Sequence, residues 1–442
     1  MRPQSPNPQG ELFQSRLEEL LNPKHPLFLL SGEIEWGRFE KEFGSLYCPD
    51  FGRPGKPTRL MVGLHYLKHA FDLSDEAAVS QWVENPYWQY FCGEIYFQHQ
   101  FPIDPSLMTR WRQKVKEKGM ETLLEETLRT AMQMGALDRR QLEKLTIDTT
   151  VQEKAIAFPT DAKLCHKMRE ILVREAKREG IELRQSYRRK SKRALCWQSR
   201  YAAARQMRRA KREFKKIWIY LGRVTRDLER KVAANPLWEE KFKPSLDLAR
   251  RLLGQRREDK NKLYSLHAPE VECIAKGKAH KKYEFGCKVA LAATIRDPWI
   301  VAIRALHGNP YDGHTLAQTI SQAQRLGKFQ AKEVFLDQGF RGHNYKGPAL
   351  VHLLKRGFKK LKPTLRKWLK RRVVIEPVIG HEKSDCRLDR NYLRGKLGDK
   401  INAILCGAGF NFRKLLRALS FCLEFLHQKI ALSFASDLST AA

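Results

Sequence analysis

The segment Leu145-Thr146-Ile147-Asp148-Thr149-Thr150-Val151 decides the fold. Leu145, Ile147 and Val151 share one face at the two-residue period, and Thr and Val favour extended backbone, so the segment is a strand. Asp148 falls on the opposite face. About a hundred residues of helical pattern follow before strand character returns. It returns at Val271–Ile274, at Tyr283–Ala293, where Phe285, Cys287, Val289 and Leu291 alternate, and at Trp299–Leu306. A helix over His314–Leu326 leads to Glu333-Val334-Phe335-Leu336-Asp337-Gln338-Gly339. Its three consecutive apolar residues suit a strand buried on both faces. Strand, insertion, three strands, helix, strand and then helices spell an α/β domain split by a helical insertion.

The region before the first strand is helical. Helices are expected at Arg59–Ala70, Ser74–Val83 and Ser106–Lys118, with Ser106 as N-cap after the turn at Pro102, Asp104 and Pro105. In the insertion, one long helix spans Arg193 to Ala233 and ends at Asn235-Pro236. A second, Ser245–Leu266, returns against it. The stripe Trp197, Tyr201, Ala204, Met207, Phe214, Trp218, Leu221, Thr225, Leu228, with its aromatic residues, is expected to form the seam of that hairpin rather than a base-stacking platform. From Leu350 onward the pattern is mostly helical, with an apolar terminal helix near Phe410–Leu432. The expected domains are 1–140 (helical), 141–160 with 267–395 (catalytic core), 161–266 (basic insertion) and 396–442 (terminal helix and tail).

Lys and Arg number 83 against 49 Asp and Glu, a net charge of +34. Such a surplus points to a polyanionic partner, nucleic acid first, and away from small-metabolite enzymes. Lys163 to Lys262 holds 32 basic and 12 acidic residues, so 32 − 12 = +20 of that charge sits in the insertion. Arg188, Arg189, Arg208, Arg209 and Lys215 on its outer faces are expected to track phosphates with a steep salt dependence. The first residues carry no apolar signal segment. The longest nearly apolar run, Phe285–Ile295, is interrupted by Lys288 and falls short of the roughly 20 residues a membrane span needs. Nine scattered cysteines without a CxxC argue against a disulfide framework or structural zinc, and for a reducing cytoplasm. Gly308-x4-Gly313-His314-Thr315 has phosphate-loop spacing, but His314 stands where the phosphate-binding lysine must be, so no nucleotide site is expected.

In so basic a chain the acids are informative. Asp148 lies in a strand, and Asp337 ends one ahead of Gly339 and Gly342. Strand ends are where α/β proteins place active sites, although either aspartate would also serve as a strand-end cap or surface ion pair. A third acid comes from Arg372-Val373-Val374-Ile375-Glu376-Pro377, followed by Lys383. On a helix, Glu376 and Lys383 lie about 40° and 20° from Arg372. The two cations would then grip phosphates flanking the acid. Glu382, with Asp385 behind it, is the alternative third acid. Three converging carboxylates call for cations, and Mg²⁺ with its oxygen preference is the natural one. Two such ions stabilise both the attacking and the leaving oxygen of an in-line phosphoryl transfer. The run Lys355–Arg372, with ten basic and no acidic residues, adds a basic track beside the site.

With these residues in place the sequence resembles the DDE transposases of bacterial insertion sequences. Arg372-x3-Glu376-x6-Lys383 matches part of the Tyr-x2-Arg-x3-Glu-x6-Lys signature of one branch, with Leu369 at the tyrosine position. Ile147-Asp148-Thr149-Thr150 resembles the first-acid strand. Asp337-Gln338-Gly339-Phe340-Arg341-Gly342 resembles the Asp-x-Gly-aromatic-x-Gly second-acid motif, and 376 − 337 = 39 residues is the short spacing. The region of Trp82, Pro86, Tyr87 and Phe91 is similar to the family's N-terminal domain. The likeness runs from about Gly44 to Leu426.

The resemblance implies an α/β fold with a ribonuclease-H-like core, interrupted by the basic helical insertion and preceded by an all-helical domain. It implies two Mg²⁺ ions, replaceable by Mn²⁺, on Asp148, Asp337 and Glu376, with Arg372 and Lys383 touching DNA. It further implies cleavage at the element's ends, attack of the freed 3′-hydroxyl on target DNA, double-stranded DNA as partner, a homodimer, no membrane and a nucleoid-associated cytoplasmic location. The alternatives are a non-catalytic DNA-binding protein, such as a domesticated transposase or repressor, and a host Mg²⁺-dependent nuclease of the same fold.

Overall fold

The computed structural model describes residues 14–48, 54–256, 258–275, 282–354 and 361–440, with side chains up to residue 420. The chain forms two compact units, Met1–Glu153 with Lys288–Ala442, and Lys154–Cys287.

Six strands run Lys144–Glu153 (β1), Glu272–Ile274 (β2), Glu284–Thr294 (β3), Ile300–Leu306 (β4), Glu333–Leu336 (β5) and Leu350–Leu353 (β6). In the first unit their order is β4-β3-β1-β5-β6. β3 and β4 are antiparallel, whereas β1 pairs β5 and β5 pairs β6 in parallel. The Ile295 amide donates to the Lys144 carbonyl at 3.2 Å, which lays the end of β3 beside the start of β1. Val334, Phe335 and Leu336 are fully buried, as their apolar run predicts. β6 falls where only helix is expected from the sequence. It is a four-residue edge strand with an exposed Leu350, so neither an apolar run nor alternation marks it. Backbone pairing with β5 makes it a strand.

The N-terminal helices of this unit include Thr58–Ala70, Asp75–Glu84 and Ser106–Gln133. Ser74 caps the second by accepting from the Ala77 amide at 3.0 Å. Ser106 is not an N-cap. Asp104 accepts from the Ser106 amide at 2.8 Å, and the helix begins at Ser106 itself. It also runs past Lys118 to Gln133, across a kink at Lys116. The C-terminal helix, Gly395–Thr440, packs against Thr58–Ala70, Ser106–Gln133 and β4. Within it, buried Asn411 accepts from the Ile300 amide and donates to the Ile300 carbonyl, both at 2.9 Å, and donates to Thr127 at 3.1 Å. One side chain thus fastens the helical region to the sheet.

The second unit is built on four helices, Asp161–Arg178, Arg188–Ala203, Met207–Val232 and Pro236–Gly254. Met207–Val232 packs on the other three through Ile217, Leu221, Val224 and Leu228. Here too β2 pairs antiparallel with the first residues of β3. The single helix expected over Arg193–Ala233 is two helices that fold against each other. Arg205 takes a left-handed φ of 55° at the break, where neither glycine nor proline gives warning. The stripe forms the seam only in part: Leu221, Thr225 and Leu228 are buried and Phe214 packs against the core, whereas Trp197, Met207 and Trp218 stay exposed. The last helix starts at Pro236 rather than Ser245, because Asn235 caps it by accepting from the Leu237 amide. The dipeptide that stops one helix starts the next. Among the described residues no helix is long and apolar enough to cross a membrane.

Candidate active site

β1 alternates as its sequence requires, with Leu145, Ile147 and Val151 fully buried. Its other face carries Lys144, Thr146 and Asp148. Parallel pairing sets Lys144 opposite Glu333, Leu145 opposite Val334 and Thr146 opposite Phe335. Lys144 and Glu333 are ion-paired across this register. Asp337 directly follows β5 in still-extended backbone, φ −84° and ψ −177°. The paired register ends at Thr146 and Phe335; continued by two residues, it would bring Asp148 level with Asp337 on the same face of neighbouring strands. Such strands lie about 4.8 Å apart.

A helical segment covers this face. It runs as an α-helix Pro363–Arg371, a 3₁₀ turn Arg372–Val374 and an α-helix Ile375–Asp385. The Lys144 ammonium lies 5.4 Å from the Trp368 ring, and the Thr146 hydroxyl is 3.5 Å from the Arg372 carbonyl. Four helical residues advance about 6 Å and two strand residues about 6.6 Å, so helix and strand keep step. A further step of the same kind would bring Glu376 toward the level of Asp148, and the Ile375–Asp385 helix packs on β1. Pro377 sits in the first turn of that helix, where its missing N–H costs no helical bond.

The three acids differ in their surroundings. Half-buried Asp148 accepts from the Thr149 amide at 2.7 Å. Half-buried Asp337 accepts from the Gly339 amide at 3.0 Å, capping its own turn. The Glu376 side chain is 60% exposed, 3.8 Å from the guanidinium of Arg372, which is only 8% exposed. Lys383 lies two turns on, half-buried. Glu382 is entirely buried, neither carboxyl oxygen has a hydrogen-bond partner, and burial pushes its pKa well above the ordinary value. Asp385 is held below its ordinary value chiefly by the Ser384 hydroxyl, with His381 at 3.0 Å and Arg413 at 3.3 Å also engaged.

In the second unit Arg188, Arg189, Arg208, Arg209 and Lys215 are all exposed. Arg188 and Arg189 begin one helix and Arg208 and Arg209 the first turn of another, neither of which has an acid in that turn. Cations stacked on the positive end of a helix dipole leave an uncompensated positive field. Residues 355–360 of the basic track lie outside the described residues. Two groups close to the acids escaped sequence reasoning: Asp312, 3.1 Å from the Thr149 hydroxyl, and Lys288, 3.0 Å from Asp312. The signals that would have found them are the lone lysine in an apolar strand and the glycine-flanked Gly308–Gly313 motif.

Residues 15–114 match a family described as a transposase domain (DUF772), and residues 264–409 match the transposase DDE domain. A protein of Rhizobium meliloti, named as uncharacterized protein ORF8 in the nfe locus, is 53% identical over 207 residues, 47% of this chain and 100% of that protein. The chain belongs to the insertion-sequence DDE transposases. No solved structure matches it. The segment of this transposase that matches the DDE domain contains Asp337 and Glu376, while Asp148 lies ahead of it. Membership implies DNA binding and the family's characteristic use of divalent metals.

Proposed function

We propose that this transposase cuts the ends of its own insertion sequence and joins them to target DNA at a site made by Asp148, Asp337 and Glu376. The observation that carries the reading is register: Lys144–Thr146 pair in parallel with Glu333–Phe335, and Trp368 and Arg372 of the overlying helical segment lie beside Lys144 and Thr146, so that equal further steps along all three elements would bring the carboxylates to one level. The order β4-β3-β1-β5-β6, antiparallel on one side of β1 and parallel on the other, supports a ribonuclease-H-like core. The donors are all carboxylate oxygens, a set that fits Mg²⁺ or Mn²⁺. Bound there, two such ions would stabilise the attacking and leaving oxygens of phosphoryl transfer.

The chain's own residues do the positioning. Backbone amides of Thr149 and Gly339 each hold one oxygen of Asp148 and Asp337. Buried Arg372 holds Glu376, whose exposure leaves it accessible. Lys383 and the five exposed cations of the second unit bind the DNA backbone, and pairing of two ends calls for a homodimer. The test is strand nicking of DNA carrying the element's ends, in Mg²⁺. Asp148→Asn, Asp337→Asn and Glu376→Gln should each abolish nicking while end binding persists. Near-normal nicking by any one removes that residue from the site.

A further inference from the structure

The Gly308–Thr315 segment, whose spacing imitates a phosphate loop, lies against the turn of the second acid. Gly308 and Asn309 both adopt positive φ, 85° and 43°, and turn the chain from β4 into the helix Asp312–Gly327. Three contacts join this turn to residues 339–343. The Tyr311 hydroxyl donates to the Arg341 carbonyl. Gly313 packs so tightly that a Cβ there would lie 3.0 Å from the His343 Cα. At Gly339 a Cβ would lie 3.1 Å from Asp337 Oδ1 and 3.5 Å from Asp312 Oδ2, so two carboxylates flank one glycine.

The other oxygen of Asp312 is occupied. Oδ1 accepts from the Thr149 hydroxyl at 3.1 Å and from Lys288 Nζ at 3.0 Å. Lys288 also donates to the Pro310 carbonyl at 2.7 Å, and its side chain is only 10% exposed. Asp312 therefore ties the residue beside the first acid to the turn that follows the second. The buried ammonium balances its charge, which relieves the like-charge repulsion that Asp337 would otherwise meet.

We propose that Tyr311, Asp312 and Lys288 form a clamp that fixes the Asp337 carboxylate for divalent-cation binding, an inference that rests on the acid site proposed above. All three are positioning residues, acting through Asp337. The test is Mn²⁺ binding to the full-length transposase without DNA, by titration calorimetry, with a thermal melt of every variant. Asp312→Asn should weaken Mn²⁺ binding by about 10–100-fold, the usual effect of removing a residue that orients a ligand. Tyr311→Phe should act in the same direction. In an Asp337→Asn background, Asp312→Asn should add nothing.

Unchanged affinity in both single variants, with Asp337→Asn weakened, overturns the clamp and leaves the acid site standing. An additional loss on top of Asp337→Asn also overturns it, because Asp312 would then bind the cation itself. If Asp337→Asn leaves Mn²⁺ binding intact, the acid-site reading fails and takes the clamp with it. Should Asp312→Asn lower the melting temperature too far to be titrated, Tyr311→Phe decides, since it removes one hydroxyl from a partly exposed ring.

Discussion

Thr146 and Phe335 are partners in parallel strands, and the interval between them, 335 − 146 = 189 residues, is also the interval between Asp148 and Asp337. Carried two residues further, that register would set two acids that are far apart in sequence side by side. A one-residue slip would send one carboxylate to the opposite face of the sheet. Four consequences of the geometry can be measured.

Gly339→Ala should impair nicking while the protein stays folded. The new methyl carbon would lie 3.1 Å from the Asp337 carboxylate and 3.5 Å from that of Asp312, closer to the first than ordinary contact allows. Gly339 is exposed, so the backbone has room to adjust and the expected stability change is within about 1 kcal/mol. Nicking rates beside a denaturant melt separate the two effects. Full activity would show that the Asp337 turn tolerates displacement.

Glu382 and Glu376 should behave oppositely. Glu376→Gln removes a carboxylate from the proposed site, whereas Glu382→Leu removes a buried carboxyl with no hydrogen-bond partner. The latter should stabilise the protein by about 1–3 kcal/mol and spare nicking. The sign with pH follows from linkage: the folded state keeps the Glu382 proton, while the unfolded chain releases it above the ordinary 4.5. Wild-type stability is thus eroded as pH rises from 4.5 toward the raised folded value, and the advantage of the variant grows over that window. A gain independent of pH would contradict the buried neutral acid.

Asp75 should anchor the N-terminal helices. It lies 2.5 Å from Arg112 and 2.7 Å from Lys68, both buried. Burial alone would raise its pKa, but hydrogen bonds from Arg112 and the charge of Lys68 more than offset this and hold it well below 3.8. Its contribution is present above pH 3.8 and lost only as pH falls through the depressed folded value. Asp75→Asn leaves two buried cations without their partner and should cost about 3–5 kcal/mol at pH 7. Urea denaturation at pH 7 gives the number, and a loss under 1 kcal/mol would mean the cations find other partners.

Arg208→Ala/Arg209→Ala should weaken end-DNA binding and flatten its salt dependence. Each lost phosphate contact lowers the slope of log affinity against log salt by about 0.9. Mobility-shift titrations over a range of salt read the slope directly. An unchanged slope would exclude these arginines from the DNA track.

Local pattern carried much of this molecule. β1, the buried run of β5 and the Thr58–Ala70 helix follow from periodicity and residue type, because each pattern runs over enough residues to stand out. Where the local signal was weak, expectation and structure part. β6 is too short and too exposed to show a period, and its strand character comes from its neighbour's backbone. The break at Arg205 lies between two helices whose apolar positions run almost in phase, so the sequence pattern continues where the chain reverses. The exposed Trp197 and Trp218 look like core in sequence because apolarity says what a side chain would gain by burial, not whether a partner is there to cover it.

The sequence by itself determined the family and the concentration of positive charge in one insertion, and it singles out three acids in their order as the proposed site. These are properties of residue type and spacing along the chain. Only the tertiary structure decided which helical acid faces out: Glu376 and Glu382 differ by six residues in one helix, and its packing buries one and exposes the other. It alone set Asp312 and Lys288 beside the second acid's turn. Lys288 and Asp312 are 24 residues apart and meet where β3 and the start of the helix after β4 come together, with the Thr149 hydroxyl of β1 on the same carboxylate oxygen. Chain spacing does not encode that meeting. Burial and pairing become physical quantities only once the strands and helices have closed around each other.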